Sequence, residues 1–169
     1  AIDWLMDLSH FDGLNWLEKE ESISRIECSW QGEKIGIGAP PIKTDSGWLL
    51  IYHGVSDIDN QYRAGAMLLD LNYPTKVLAR TQYPFLEPTE SYEQKGLVNN
   101  VVFPCGAAVA QGQLFVYYGV ADQSIGVATI ELNKLLNNLK DSQQTEENAF
   151  SPSYLYNHIH TTNKVTDTK

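Results

Sequence analysis

An all-β fold, in which sheets of antiparallel strands repeat along the chain, is predicted by two features of the sequence. Residues 47–55 match residues 112–120 at an offset of 65, with five of the nine positions identical. Residues 42–81 contain four short apolar segments separated by turn residues, which is the content of one β-propeller blade. Because repeated units bury their faces against one another, we predict two to three propeller blades over residues 1–140 and a polar carboxyl-terminal tail over residues 141–169.

The strands of the first predicted blade follow from the local sequence. Two glycines and two prolines within residues 36–41 exclude a helix there, because proline lacks a backbone donor and glycine loosens the backbone. The Asp-Ser-Gly of residues 45–47 predicts a hairpin turn. The four predicted strands are Ile42–Thr44, Trp48–Val55, Ala64–Leu71 and Lys76–Thr81.

The spacing of the repeat predicts a long connection between the blades. A period of 65 residues exceeds the roughly 40–50 residues of a propeller blade. The extra length fits residues 84–100, which are too polar and too interrupted by proline to form a strand. After the second copy, Asn133–Lys140 is predicted to be a short helix, because Leu135, Leu136 and Leu139 fall on one side of it.

The charge balance excludes some classes of partner. The formal net charge is −9 and the sequence pI is about 4.8, without a basic cluster, so we expect no binding to nucleic acid. No apolar run approaches the roughly 20 residues needed to cross a bilayer, so we expect no membrane association. We expect a cytoplasmic protein.

Neither a metal site nor a nucleotide-binding motif is predicted. Cys28 and Cys105 have no metal-ligand spacing and are expected to be buried free thiols. The pair formed by His158 and His160 has no third ligand in view. The Gly-x-Gly of residues 36–38 lacks the third glycine and the helix of a dinucleotide motif.

Several motifs together resemble a known family. In chain order they are Lys34–Thr44 (KIGIGAPPIKT), Gly47–Val55 (GWLLIYHGV), Tyr62–Ala66 (YRAGA), Val98–Gly106 (VNNVVFPCG), Tyr117–Asp122 (YYGVAD) and Ile125–Ala128 (IGVA). They resemble the middle of glycoside hydrolase family 130, and the resemblance extends over about residues 9–132. The block from Lys34 to Val55 is the most specific part of it.

The resemblance implies a five-bladed β-propeller that acts on β-mannosides. Most members of the family are phosphorylases, which cleave β-mannosides with inorganic phosphate, release mannose 1-phosphate and invert the anomeric carbon; some are hydrolases. This chain would supply the later blades. The family's proton-donating aspartate and phosphate-binding arginines are expected upstream, so we expect no catalytic residue in this chain and no turnover by the chain alone.

Three hypotheses remain open for the chain itself. It is a portion of a β-mannoside phosphorylase, a portion of a β-mannoside hydrolase, or a non-catalytic sugar-binding or structural module that self-associates. The expected partners are a β-mannoside oligosaccharide and phosphate, with phosphate as a co-substrate and no other cofactor. Because an open propeller exposes its strand edges, we also weigh a homo-oligomer that covers them.

The resemblance implies that Lys34, His53 and Tyr62 bind phosphate. Physical chemistry agrees, because an attacking phosphate dianion must be held by fixed cations and donors. Lysine is a compact point charge, and histidine can donate one N–H while neutral. We therefore expect Lys34 and His53 to project from adjoining strands into a shared pocket.

Two further residues are assigned to the substrate. Asp122 resembles an acceptor for the hydroxyls of mannose, although it could also cap its turn, as its repeat partner Asp57 could. Arg63 could reach the site, although an ion pair with a nearby acid is an alternative. A hydrolase would instead need a carboxylate to activate water, for which Glu93 on the long connection is a distant candidate.

Overall fold

A computed structural model describes residues 2–3, 21–27, 29–141 and 160–161 of the chain. Within them, the chain is built mainly of antiparallel β-sheet. The strands are β1 Ile2–Asp3, β2 Glu21–Ile23, β3 Lys34–Ile37, β4 Ile42–Thr44, β5 Gly47–Val55, β6 Tyr62–Leu69, β7 Val77–Arg80, β8 Val102–Ala110, β9 Gln113–Val120, β10 Ser124–Glu131 and β11 His160–Thr161. The helices are α1 Ser91–Gln94 and α2 Leu132–Asp141.

The first sheet confirms the blade predicted from residues 42–81. Its order is β3-β5-β6-β7, and β4 also pairs with β5. The third predicted strand begins two residues earlier than expected, at Tyr62, and ends at Leu69. The hairpin turn contains Gly47 with a φ of 143°, and the carbonyl oxygen of Leu69 occupies the space that a Cβ at this position would need. A side chain at position 47 would collide with that oxygen.

The edge of the first sheet is one strand in two parts. Gly36 in β3 lies opposite His53, and Lys43 in β4 lies opposite Trp48 of the same neighbouring strand. The interruption contains two prolines, which cannot donate to a strand ladder. A Cβ added to Gly38 would lie 2.6 Å from Cγ of Pro104, so this edge touches β8 of the second sheet.

The second sheet contains the second copy of the repeat. Its order is β11-β10-β9-β8, and β9 occupies the place that β5 has in the first copy. A bulge between Pro104 and Gly106 interrupts the pairing of β8 with β9. The bulge leaves Cys105 exposed, so the prediction of a buried thiol was wrong at this position, although the thiol is free. Cys28 lies outside the described residues.

One apolar cluster joins the two sheets. Alternate residues of each strand share a face, and those of β5 and β6 pack with those of β9 and β10. The cluster includes Leu49, Ile51, Ala66, Leu68, Leu114, Val116, Tyr118 and Ile130. The helix predicted at residues 133–140 is confirmed as α2, whose Leu135, Leu136 and Leu139 are buried in the same cluster.

The opposite face of the first sheet has its own apolar cluster. Leu50, Tyr52 and Met67 are fully buried there. Ile23 from β2 and Trp30 from the segment before β3 pack against them. The first sheet is therefore covered on both faces, as expected for a blade inside a propeller.

The long connection of residues 84–100 carries a buried carboxylate. Glu93 in α1 is 1% exposed and accepts hydrogen bonds from the backbone N–H groups of Thr89 and Glu90, at 2.8 and 2.9 Å. The Tyr118 hydroxyl donates to its other oxygen at 2.9 Å. Because this carboxylate is sealed from solvent, the hypothesis that Glu93 activates water is wrong.

The division of the chain at residue 141 stays a prediction. Most of residues 141–169 lies outside the described part, as does His158, although β11 pairs with β10. Over the described ranges, no group of three or more His, Cys, Asp or Glu side chains is arranged to hold a metal ion. None of the described helices has the length and apolarity that a membrane span requires.

The Tyr118–Glu93 hydrogen bond is expected to stabilise the fold. Replacing Tyr118→Phe removes one donor from a buried carboxylate, so we expect a loss of about 1–3 kcal/mol in the free energy of unfolding, measured by urea titration. Tyr73→Phe is the matched control, because Tyr73 is 72% exposed and its substitution should change that free energy by less than about 0.5 kcal/mol. Equal effects of the two substitutions would contradict this role.

Candidate functional site

The strand register brings three predicted site residues to one face of the first sheet. Lys34 lies opposite Val55, and Val55 lies opposite Tyr62, so these three form one row across β3, β5 and β6. His53 lies two residues before Val55 in β5, directly opposite Gly36. Residues opposite one another, and residues two apart in a strand, share a face. Lys34, His53 and Tyr62 therefore lie side by side at one end of the sheet.

The distances confirm that these side chains form a cluster. The ammonium of Lys34 lies 4.9 Å from the centre of the Tyr62 ring, a cation–π contact. The rings of His53 and Tyr62 are 5.9 Å apart. We call this group, together with Phe103, the cationic cluster.

Phe103 joins the cluster from the second sheet. Its ring lies 4.5 Å from that of His53 and 6.0 Å from that of Tyr62, and the residue is 36% exposed. Phe103 was not among the site residues predicted from the sequence, although it stands within the motif Val98–Gly106. Its place depends on how β8 packs against the first sheet, which no local pattern reports.

His53 is short of hydrogen-bond partners. Its Nδ1 atom is buried and has no partner among the described residues. A Cβ on Gly36 would lie 2.5 Å from Cε1 of His53, so glycine is required for the imidazole to lie across β3. An unsatisfied buried nitrogen is costly in a folded protein and is often explained by a functional role. This unpaired nitrogen makes His53 a candidate ligand-binding residue.

The charge of the cluster resides on Lys34. Burial, and secondarily the positive charge of Lys34, lower the pKa of His53 from 6.5 to about 4, so the imidazole is neutral at pH 7. Lys34 is exposed and forms no ion pair within the described ranges. The cluster thus combines an exposed cation with a neutral ring that can donate one N–H, an arrangement that favours an anion.

Asp122 lies in the turn that follows β9, and this turn is connected to Tyr62 of the cluster through Val101. The exposed Asp122 and its neighbour Ala121 both have left-handed backbone angles, with φ of 53° and 48°. The N–H of Ala121 donates to the carbonyl of Val101 at 3.0 Å, and Val101 bridges to Tyr62. Val101 therefore connects this turn to Tyr62, because it is bonded to Ala121 of the turn and bridges to Tyr62 of the cluster.

Arg63 is separated from the cluster by the alternation of β6. Its Nη2 atom lies 2.6 Å from Oδ2 of Asp59, and its Nε donates to Oε2 of Glu87 at 3.2 Å. Hydrogen bonding from Arg63 is the main reason why the pKa of Asp59 falls to about 2. The ion pair considered as the alternative for Arg63 is thus present.

Comparison with known proteins gives the class and then the family. Two packed antiparallel sheets, each containing one copy of an internal repeat, define part of a β-propeller. A family model described as beta-1,4-mannooligosaccharide phosphorylase matches residues 2–141. The chain belongs to glycoside hydrolase family 130.

Relatives of established activity share much of this sequence. The chain is 48% identical over 121 residues to a 1,2-β-oligomannan phosphorylase of Thermoanaerobacter sp. strain X514, a match that covers 72% of this chain and 40% of that protein. It is 56% identical over 107 residues to a β-1,2-mannobiose phosphorylase of the same organism, covering 63% and 35%. The chain spans about a third of the length of the curated relatives it matches.

Solved structures agree on the fold. The β-1,2-mannobiose phosphorylase of Listeria innocua, in complex with β-1,2-mannobiose, matches with a TM-score of 0.67 and 42% identity, over 70% of this chain and 33% of that chain. A structure described with family 130 glycoside hydrolases that target β-1,2 mannosidic linkages in Candida mannan matches with a TM-score of 0.63 and 29% identity, over 68% and 34%. These structures are five-bladed β-propellers, so the predicted fold is confirmed and this chain covers part of it.

The titration of His53 tests the electrostatics of the cluster. We expect its imidazole to titrate near pH 4, as followed by NMR of its Cε1–H and assigned with His53→Gln. Because the folded pKa lies below the unfolded value, the unfolded state binds the proton first. The contribution of neutral His53 to the free energy of unfolding is therefore complete above about pH 6.5 and is lost as the pH falls toward 4.

Lys34→Met should raise the pKa of His53, because a repelling charge is removed, without restoring the usual value, because burial remains. Lys43→Met is the matched control on the same sheet edge and should leave the titration unchanged. A midpoint near 6.5 in the unmodified protein would show that the ring is solvated and has no special environment.

Proposed function

We propose that this chain forms the phosphate-binding part of a β-mannoside phosphorylase. The observation that carries the proposal is the proximity of the exposed Lys34 ammonium, which has no ion pair with the described residues, to the neutral imidazole of His53, whose Nδ1 has no partner among them. The names of the relatives, which are phosphorylases of β-1,2- and β-1,4-linked mannosides, support the substrate class. A cytoplasmic location, predicted from the sequence, is part of the same proposal.

The cluster would hold the nucleophile of the reaction. Lys34 provides the charge that attracts a phosphate dianion, and His53 donates an N–H to one phosphate oxygen. Tyr62, in cation–π contact with the ammonium, limits where that ammonium can move and offers its own hydroxyl. Held in this way, a phosphate oxygen is fixed beside the anomeric carbon of the sugar, which lowers the entropic part of the barrier.

In the proposed reaction, a phosphate oxygen forms a bond to the anomeric carbon while the glycosidic bond to the leaving sugar breaks. The products are mannose 1-phosphate with inverted configuration and the shortened sugar, whose oxygen takes up a proton. An acid must supply that proton. We propose that it lies outside this chain, so that the chain contributes binding and orientation. Phosphate is the co-substrate, and the proposal needs no other cofactor.

The same geometry favours phosphate over water as the nucleophile. A hydrolase that inverts the anomeric carbon needs a carboxylate base to activate water, and Glu93 cannot serve because it is buried under Tyr118. A cation such as Lys34 lowers the basicity of groups around it and attracts an anion instead. The hydrolase hypothesis therefore has less support from these residues.

The sugar is proposed to lie between the cationic cluster and the turn that follows β9. Asp122 is exposed at that turn and, as a carboxylate, can accept hydrogen bonds from two sugar hydroxyls. The half-exposed ring of Phe103 offers an apolar surface beside His53. Arg63 is bonded to Asp59 and Glu87 on the other face of the sheet, so the substrate contact predicted for it is not part of this proposal.

Phosphate binding by the chain tests this proposal. We expect phosphate to raise the pKa of His53 and to shift its Cε1–H resonance, because a bound anion stabilises the protonated ring. Lys34→Met should weaken phosphate affinity by about tenfold or more, since a charge-assisted contact contributes roughly 1.5–3 kcal/mol. The control Lys43→Met, also an exposed lysine of the same edge, should bind phosphate as the unmodified chain does.

No response of His53 to phosphate, or equal affinities for Lys34→Met and Lys43→Met, would reject the phosphate site. A second arm incubates the chain with β-1,2-mannobiose and phosphate and assays mannose 1-phosphate. We expect no product. Turnover would refute the proposal that the proton donor lies outside the chain, while leaving the phosphate site intact.

For the chain by itself, we propose association of two copies through the second sheet. The face of that sheet that points away from the first exposes Tyr117 at 44% and Ile125 at 61%, where a closed ring would place another blade. Light scattering should give a dimer that Ile125→Lys converts to a monomer. Tyr73→Ser, at another exposed site (72%), should leave the dimer intact. A monomeric unmodified chain would contradict the association.

A further inference from the structure

A cavity of about 580 Å³ lies against the first sheet, on the face opposite the cationic cluster. It is bounded by the segment before β3, the turn between β5 and β6, and the residues that follow β7. We propose that this cavity is a saccharide-binding site, separate from the phosphate site, for a neutral oligosaccharide. The inference goes beyond the proposed function, and only the choice of a mannoside as the probe rests on it.

The first wall of the cavity is an aromatic ring held in a fixed position. The indole N–H of Trp30 donates to the carbonyl of Gln82 at 2.9 Å. Its ring covers two glycines of the sheet, since a Cβ on Gly54 or Gly65 would lie 2.6 or 2.5 Å from it. Its ring centre is 5.6 Å from that of Tyr52. A ring fixed in this way gives up little conformational entropy when the apolar face of a sugar packs on it.

The second wall consists of two carboxylates oriented by a buried arginine. Arg63 has only 11% of its side chain exposed, and it holds Asp59 through two hydrogen bonds and Glu87 through one. The side chains of Asp59 and Glu87 remain 36% and 37% exposed. Asp59 also accepts from the backbone N–H of Gln61 at 3.0 Å, so most of its lone pairs are in use. Glu87 accepts the Arg63 bond through Oε2 and keeps lone pairs on both oxygens, so it is the fixed acceptor with capacity for sugar hydroxyls.

The charge of the lining decides which ligand fits. Glu27, Asp59 and Glu87 contribute three negative charges against one positive charge from Arg63, a net charge of −2. This balance repels phosphate and other anions. A neutral sugar combines many hydroxyl donors with apolar C–H faces, so it suits both walls. The volume lies within the range of roughly 300–1,000 Å³ typical of small-molecule pockets.

Apolar groups at the rim support the same ligand. Tyr83 is 37% exposed and Ile58 is 82% exposed, and both line the cavity. Tyrosine can pack on a sugar ring while its hydroxyl remains in water. Tyr62 and Arg63 are adjacent in β6 and point to opposite faces, so the two sites share one end of the sheet without sharing residues.

The experiment follows the indole N–H resonance of Trp30 by NMR, assigned with Trp30→Phe, while the chain is titrated with β-1,2-mannobiose. We expect a saturable shift of that resonance. Tyr83→Ala should weaken the affinity roughly fivefold to tenfold, as expected from loss of one aromatic contact. Tyr73→Ala, an exposed tyrosine elsewhere (72%), is the matched control and should bind as the unmodified chain does.

Two further arms separate this site from the phosphate site. Lys34→Met should leave the saccharide titration of Trp30 unchanged, and phosphate should not move the Trp30 resonance. A normal phosphate response of His53 without any saccharide response of Trp30 would overturn this inference alone. A saccharide response of Trp30 without a phosphate response of His53 would overturn the proposed function and would still support the saccharide site.

Other outcomes would also overturn the inference. If Lys34→Met abolished the Trp30 response, the sugar would be binding at the cationic cluster. If the Trp30 resonance moved with protein concentration in the absence of sugar, a second copy of the chain would be filling the cavity. Equal affinities for Tyr83→Ala and Tyr73→Ala would show that the cavity does not contact the saccharide.

Discussion

The pairing register of β3, β5 and β6 is the constraint on which the candidate site depends. It places Lys34, His53 and Tyr62 on one face, and a slip of one residue would send a strand's side chains to the other face. The register is held by burial on both sides of β5, with Leu49 and Ile51 facing one cluster and Leu50 and Tyr52 the other. The apolar clusters on the two sides of β5 therefore determine the relative positions of the three site residues.

Contact between the two sheets then sets the environment of His53. The imidazole is enclosed by Tyr62 from its own sheet and by Phe103 from the second, which withdraws it from water. Withdrawal from water lowers the pKa of a base and strengthens every remaining electrostatic contact. The same packing that stabilises the fold thus prepares a neutral donor beside a lysine, while the opposite face of the sheet carries acids grouped around Arg63.

The sequence predicted those strands and that helix whose buried side follows from the local spacing of residues. The repeat identified β5 and β9, and the leucine spacing identified α2, because both patterns report which side of an element is buried. It could not reveal the exposure of Cys105, which depends on a bulge in β8, or the burial of Glu93, which depends on a tyrosine 25 residues away. Phe103 was missed for the same reason, since its neighbours come from another sheet.

The two copies of the repeat differ at the position of His53. His53 in the first copy corresponds to Tyr118 in the second, and the tyrosine hydroxyl is committed to a buried acid while the imidazole nitrogen is not. Two copies that share five of nine residues therefore pair a polar side chain internally in one sheet and leave it without a described partner in the other. Duplication of a blade would give each copy a side chain at the position of His53 and Tyr118. Where an internal partner bonds that side chain, the position would stabilise the fold, and where none does, the side chain could bind a ligand.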